Sequence, residues 1–175
     1  MIYVGCEGTH TSGHFDICAS HGHNLMVYGN DGCAALWMMV SRGHANDARK
    51  LWHRNGGGVF SLDQDNLTMP SHLLAMAEFP IFAFEQHLGD LILIPSECAH
   101  QVINVGKGYT IKCAWNTTTT ESLMHCLESI LPVNRRILKP EIFRAKTQLA
   151  AVMNGAIKSL ESKLWERSLL RSMQI

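Results

Sequence analysis

The chain has no run of roughly eighteen apolar residues, so no segment reads as a membrane-spanning helix. Its first residues, MIYVGCEG, show no basic stretch ahead of an apolar core, and no export signal is expected. An excess of charge is also missing: 15 lysines and arginines balance 15 aspartates and glutamates. A neutral chain has no electrostatic footprint for a phosphate backbone, which argues against direct nucleic-acid binding. CxxC pairs are absent. Cys6, Cys18, Cys33, Cys98, Cys113 and Cys126 are scattered without zinc-finger spacing and are expected to be reduced and buried. There is no internal repeat and no basic cluster, and the one low-complexity tract is the threonines at 117–120. These absences point to an intracellular, soluble protein.

What is present suits one sizeable core. The chain has 175 residues, 46% hydrophobic and 17% charged, an ordinary globular composition. Two periodicities divide it. Up to about residue 117 the apolar runs are short and strand-like: NLMVYG (24–29), AALWMMV (34–40), IFAFEQ (81–86), DLILIPS (90–96), HQVINV (100–105) and YTIKCAWN (109–116). Gly29-Asn30-Asp31-Gly32, Leu88-Gly89-Asp90 and Gly106-Lys107-Gly108 supply turns between them. Short strands so regularly punctuated predict a β-barrel or sandwich. Residues 41–79 interrupt the series with ANDARKLWHR, a GGG break and TMPSHLLAMAEFP, and read as a helical insertion between two strands.

The remaining segment, 118–175, is helical. Thr118 and Glu121 have capping-box spacing ahead of SLMHCLESIL. Lys139-Pro140-Glu141 opens a long helix whose Leu149, Met153, Ala156, Leu160 and Leu164 recur at steps of three and four. That stripe suits packing on the barrel, with a homodimer seam as the alternative.

Histidine is concentrated near the start: His10, His14, His21 and His23 all fall in GTHTSGHFDICASHGHN (8–24). In GHFD, His14 and Asp16 are two apart, which on an extended chain puts both side chains on one face. A histidine and a carboxylate on one face are two of the three ligands of a facial triad, the arrangement that leaves positions open for chemistry on iron. A second histidine must then come from a distant strand. His100, opening the strand after DLILIP, is the candidate. His10, His21 and His23 read as bystanders, and His44, His53, His72, His87 and His125 as surface residues.

YVGCEGTHTSGHFD (3–16), NLMVY (24–28), LWMMV (36–40) and LGDLILIPSECAHQVINVGKGYTIKCAWN (88–116) together resemble a JmjC domain of fungal type. The resemblance covers residues 2 to 117, with the insertion at 41–79 in its usual place. It implies a double-stranded β-helix (cupin-like) barrel, mainly β with some α. It also implies an oxygenase that uses Fe(II) with 2-oxoglutarate as cosubstrate, hydroxylating proteins or demethylating histone lysines, with a protein substrate and a nuclear setting by analogy. Carried over by position, His14, Asp16 and His100 match the iron triad. Thr11 matches a threonine at the 2-oxoglutarate C5 carboxylate, and Asn24 and Asn104 match positions near the cosubstrate.

Two departures stand out. Many members carry a lysine on the strand corresponding to 34–40, shortly before an aromatic, where this chain has Ala34 and Ala35 ahead of Trp37. A buried carboxylate needs a cation, and Lys112 is the replacement that strand alternation offers, sharing a face with Thr110, Ala114 and Asn116. Trp37 and Trp115 read as core. The family also has strands and helices ahead of the YVG segment, so the first barrel strand is expected to be shortened to about Ile2–Val4. Two other readings fit the residues: a catalytically inactive JmjC-like scaffold, and a simple cupin metal-binding protein.

Overall fold

A computed structural model describes residues 1–137 and 142–172. Eight strands form two four-stranded sheets: β1 (Ile2–Cys6), β2 (His10–His14), β3 (His21–Gly29), β4 (Ala34–Val40), β5 (Phe82–Gln86), β6 (Leu91–Ile94), β7 (Ala99–Val105) and β8 (Tyr109–Thr117). The first sheet has the order β1-β8-β3-β6 and the second β2-β7-β4-β5. Every pairing is antiparallel. All six runs expected to be strands form strands, β4 with the expected bounds. The first strand runs two residues past the expected Val4, because β8 offers ladder partners as far as Cys6.

The sheets pack face to face through Met26 and Ile94 from the first and Ala35, Trp37, Met39 and Val102 from the second. The other face of the second sheet is covered by the insertion. There α1 (Ala45–Trp52), the four-residue α2 (Ser71–Leu74) and the segment between them bring Ala48, Trp52, Leu62, Met69 and Leu74 onto Met38, Val40 and Ala99. β4 is therefore buried on both sides, which is why AALWMMV reads as a continuous apolar run rather than an alternation. On the outer face of the first sheet Val4, Leu91, Leu93 and Trp115 are exposed. Trp115, expected in the core, instead stacks on His23 with ring centroids 5.1 Å apart.

Polar contacts pin the insertion down. The fully buried Gln101 amide accepts from the Met69 N–H at 2.9 Å and donates to the Met69 carbonyl at 2.8 Å. The Trp52 indole donates to the Leu67 carbonyl at 3.0 Å. Gly13 lets that indole approach β2, since a Cβ there would lie 2.5 Å from Trp52 Nε1.

After β8 come α3 (Thr120–His125) and α4 (Leu131–Arg136), which with the strands make up a compact unit of residues 1–137. The α3 capping box forms one residue later than Thr118 and Glu121 predict. Thr119 Oγ1 accepts from the Ser122 N–H at 3.1 Å, and the Thr119 N–H donates to Ser122 Oγ at 2.9 Å. A serine hydroxyl at the third helical position closes the box as well as a glutamate. A second unit begins at residue 138, and its described part is the helix α5 (Ile142–Ser172). The predicted opening at Lys139-Pro140-Glu141 lies outside the described residues. Among the described residues no helix is long and apolar enough to cross a membrane.

Gln101→Leu keeps the volume of the side chain but orphans the Met69 N–H and carbonyl. Stability should fall by about 2–6 kcal/mol, from two buried groups at roughly 1–3 each. Urea unfolding measures this directly, and a loss below about 0.5 kcal/mol, the usual effect of a neutral surface change, would show that the contact does not anchor the insertion.

Candidate metal centre

β2 and β7 are neighbours in the second sheet, and their register sets His14 directly opposite His100. The register shifts between Thr11 and His14, an irregularity of the kind that re-aims a side chain. The two imidazole centroids lie 4.2 Å apart. Asp16 follows two residues after β2 and leads into a 3-10 turn, Ile17–Ala19. Cys18 and Ala19 take positive φ (55° and 51°) there, a conformation costing about 1–3 kcal/mol per non-glycine residue. Ser20 Oγ donates to the Ile17 carbonyl at 2.7 Å and Ser96 Oγ to the Ala19 carbonyl at 2.6 Å, holding the turn that presents Asp16. The result is three ligand atoms, one each from His14, Asp16 and His100, all within 4.8 Å of one another.

Hydrogen bonds fix which imidazole nitrogens face inward. His14 Nδ1 lies 2.8 Å from the Ser12 carbonyl and His100 Nδ1 lies 3.0 Å from the Cys98 carbonyl. A carbonyl can only accept, so each Nδ1 carries the proton and each Nε2 keeps its lone pair for a ligand. Burial drives the His100 pKa down to about 3, so it stays neutral, as a metal-binding imidazole must. Trp37 stacks on His100 at 5.7 Å and donates to Gln86 at 2.9 Å. Gln86 in turn donates to the backbone carbonyl and to Oδ1 of Asn24, at 2.9 and 3.2 Å.

The carboxylate is the unsatisfied member. Burial raises the Asp16 pKa, a hydrogen bond from Asn116 and the charges of His14 and His23 oppose that, and Oδ2 is buried without any partner. A cation bound between Asp16, His14 and His100 would supply the missing partner and reverse the penalty. The donor set, two imidazoles and one carboxylate, fits a divalent transition metal with open coordination positions. Gly22 on β3 makes room for it, because a Cβ there would overlap the Asp16 carboxylate.

One cavity of about 150 Å³ brings together every residue singled out from the sequence: His14, Asp16 and His100, with Thr11, Asn24, Asn104 and Lys112. Lys112 is 4% exposed, and burial lowers its pKa to about 8. Its ammonium reaches the neutral Asn104 Oδ1 at 2.5 Å, and no carboxylate among the described residues pairs with it. Ala35, in the stretch where the family carries its lysine, is fully buried and is the register partner of Asn104. Lys112 thus approaches from the first sheet the same asparagine that Ala35 flanks in the second.

Several lining residues escaped the sequence reading. Tyr3, the register partner of Lys112, has its phenol pKa raised by burial and by the charge of Asp16. Strand alternation from Lys112 would have found it only if the β1–β8 pairing were known. Gly22 carries no local signal, and neither does Gln86, which does not line the cavity but joins Trp37 to Asn24.

Comparison with known proteins decides the family. The profile described as JmjC domain, hydroxylase, matches residues 1–117. The chain belongs to the JmjC family. A relative, C-module-binding factor A of Dictyostelium discoideum, is 40% identical over 146 residues, which is 83% of this chain and 14% of that protein. This JmjC chain therefore spans a small part of the length of the curated relative it matches.

Gly22→Ala tests how tightly Asp16 is seated. Displacing one ligand of three should weaken Co(II) binding by roughly ten- to a hundred-fold, the range seen for disturbed metal-site support. Calorimetric titration together with circular dichroism reads this out. Unchanged affinity in a folded variant would mean that Asp16 does not contribute to the site.

Proposed function

We propose that this JmjC domain is an Fe(II)- and 2-oxoglutarate-dependent dioxygenase acting on protein, of the protein-hydroxylase or histone-lysine-demethylase type. The carrying observation is that one cavity holds a carboxylate whose buried Oδ2 has no partner and a buried ammonium that pairs with no carboxylate, among the described residues. The facing sheet orders β1-β8-β3-β6 and β2-β7-β4-β5 support closure as a double-sheet jelly roll, the double-stranded β-helix.

In this reading His14 Nε2, His100 Nε2 and an Asp16 oxygen hold the iron on one side and leave its other side open to the cavity. Lys112 and Thr11 receive the far carboxylate of 2-oxoglutarate. The Asn24 NH2 group, whose partner oxygen is already held by Gln86, is free to donate to the cosubstrate. When bound, Fe(II) and 2-oxoglutarate supply the oxidation of a substrate C–H bond by O2, with release of succinate and CO2. The chain's own contribution is to keep His100 neutral, to orient Asp16 through the Asn116 hydrogen bond, and to exclude water behind Trp37 and Met26.

Anaerobic addition of Fe(II) and then 2-oxoglutarate should produce the visible charge-transfer band of a chelated 2-oxo acid, and Asp16→Ala should abolish it. Folded protein that retains iron yet shows no band would refute the proposal. Lys112 adds a pH signature. Its ammonium is charged below about pH 8 and neutral above. Affinity for 2-oxoglutarate should therefore hold below that value and decline as pH rises through it. Lys112→Ala should bind roughly ten- to a hundred-fold more weakly, the worth of one charge-assisted hydrogen bond, and lose that pH dependence. Equal affinities in the two proteins would remove Lys112 from the cosubstrate site.

A second reading, a JmjC-like binding scaffold without turnover, draws support from the alanines at 34 and 35 and from a relative named as a binding factor. Succinate formation coupled to 2-oxoglutarate consumption separates the two.

A further inference from the structure

We infer that Asn104 is a positioning residue: it orients the Lys112 ammonium as a neutral partner and does not itself contact the cosubstrate. This rests on the reading of the cavity as a 2-oxoglutarate site.

Every polar atom of the Asn104 side chain is already used. Oδ1 accepts from Lys112 Nζ at 2.5 Å and from Thr110 Oγ1 at 3.0 Å. Nδ2 donates to Thr9 Oγ1 at 2.9 Å and to the Thr9 carbonyl at 3.2 Å. The amide cannot turn over, because its NH2 would then face an ammonium and its carbonyl would face another carbonyl. Its backbone is tied to the same turn: the Asn104 N–H donates to the Thr9 carbonyl at 2.8 Å and the Gly8 N–H to the Asn104 carbonyl at 2.9 Å. Gly5 on β1 is bare where this amide sits, and a Cβ there would overlap it.

Neutrality is the point of the arrangement. Lys112 belongs to the first sheet and Asn104 to the second, so their hydrogen bond fixes the ammonium across the gap between sheets. An ammonium has three donors. One is spent on Asn104, and two remain for an anion. An aspartate at 104 would hold the lysine equally well but cancel its charge. Only a neutral acceptor aims the cation while leaving it hungry for a carboxylate. Burial lowers the Lys112 pKa to about 8, in keeping with a partner that offers no opposite charge.

The test compares wild type, Asn104→Asp and Asn104→Ala, each as the full chain loaded anaerobically with Fe(II). Binding of 2-oxoglutarate is followed by titration of the charge-transfer band, and the Lys112 amine is titrated by NMR in metal-free protein. Asn104→Asp should raise the Lys112 pKa above the wild-type value and weaken 2-oxoglutarate by roughly ten- to a hundred-fold, with iron affinity unchanged. Asn104→Ala should weaken 2-oxoglutarate without raising that pKa, which a merely structural role would not separate from the aspartate variant. If wild type binds 2-oxoglutarate and both variants bind it within about two-fold, the inference is overturned and the dioxygenase reading survives. If iron-loaded wild type does not bind 2-oxoglutarate at all, both fall. Should Asn104→Asp not fold, the alanine variant decides by the same two-fold criterion.

Discussion

The pairing of β2 with β7 is the constraint on which the rest of this structure depends. It sets His14 opposite His100, two residues far apart in the sequence, and the irregular register between Thr11 and His14 turns the first imidazole toward the second. A regular ladder would keep strict alternation. The irregularity, followed by the strained turn at Cys18 and Ala19, brings Asp16 round to the same point. Strain of this kind persists where surrounding contacts over-determine it. Here those contacts are the serine hydroxyls of Ser20 and Ser96 and the absence of a side chain at Gly22.

The second sheet works on both faces. Toward the insertion, β4 and β7 bury Met38, Val40 and Gln101. Toward the first sheet, Trp37, His100 and Val102 line the cavity, and Met39 joins the apolar cluster between the sheets. His100 is consequently buried between the Trp37 indole and the His14 imidazole, and burial, with the charge of His14 behind it, keeps it unprotonated. The same low-polarity surroundings make Asp16 and Lys112 costly. Each is shifted toward its neutral form, in opposite directions. Two buried groups of opposite charge that share one cavity without pairing are a poor stability device. They make sense as halves of a site completed by a cation on one side and an anion on the other.

Much of this was legible because strands have period two. His14 and Asp16 two apart, His100 at the start of a strand, and Lys112 as the polar interruption of an apolar strand stood out from spacing together with the resemblance, and all line one cavity, although Asp16 reaches it through a turn rather than along a strand. The apolar run of β4 was equally plain. Trp115 was misread because alternation places it on a face but does not say whether that face is covered, and Trp115 is exposed, stacked on His23. The α3 cap slipped by one residue because the threonine run and Ser122 offer two overlapping boxes of nearly equal quality.

Residue types, their spacing and the two periodicities were determined by the sequence alone, since each depends only on local geometry along one chain. Tertiary structure decided what no local rule reaches. It decided that Tyr3 and Asn104 flank Lys112, that Gln86 links Trp37 to Asn24, and that Gly22 gives way to Asp16. Each of these joins residues from different strands or turns, brought together only when strands distant in sequence pair and the two sheets close on each other. The physical reason is that a ladder register is chosen by the burial of whole faces at once, and a single residue's partner is a consequence of that global choice.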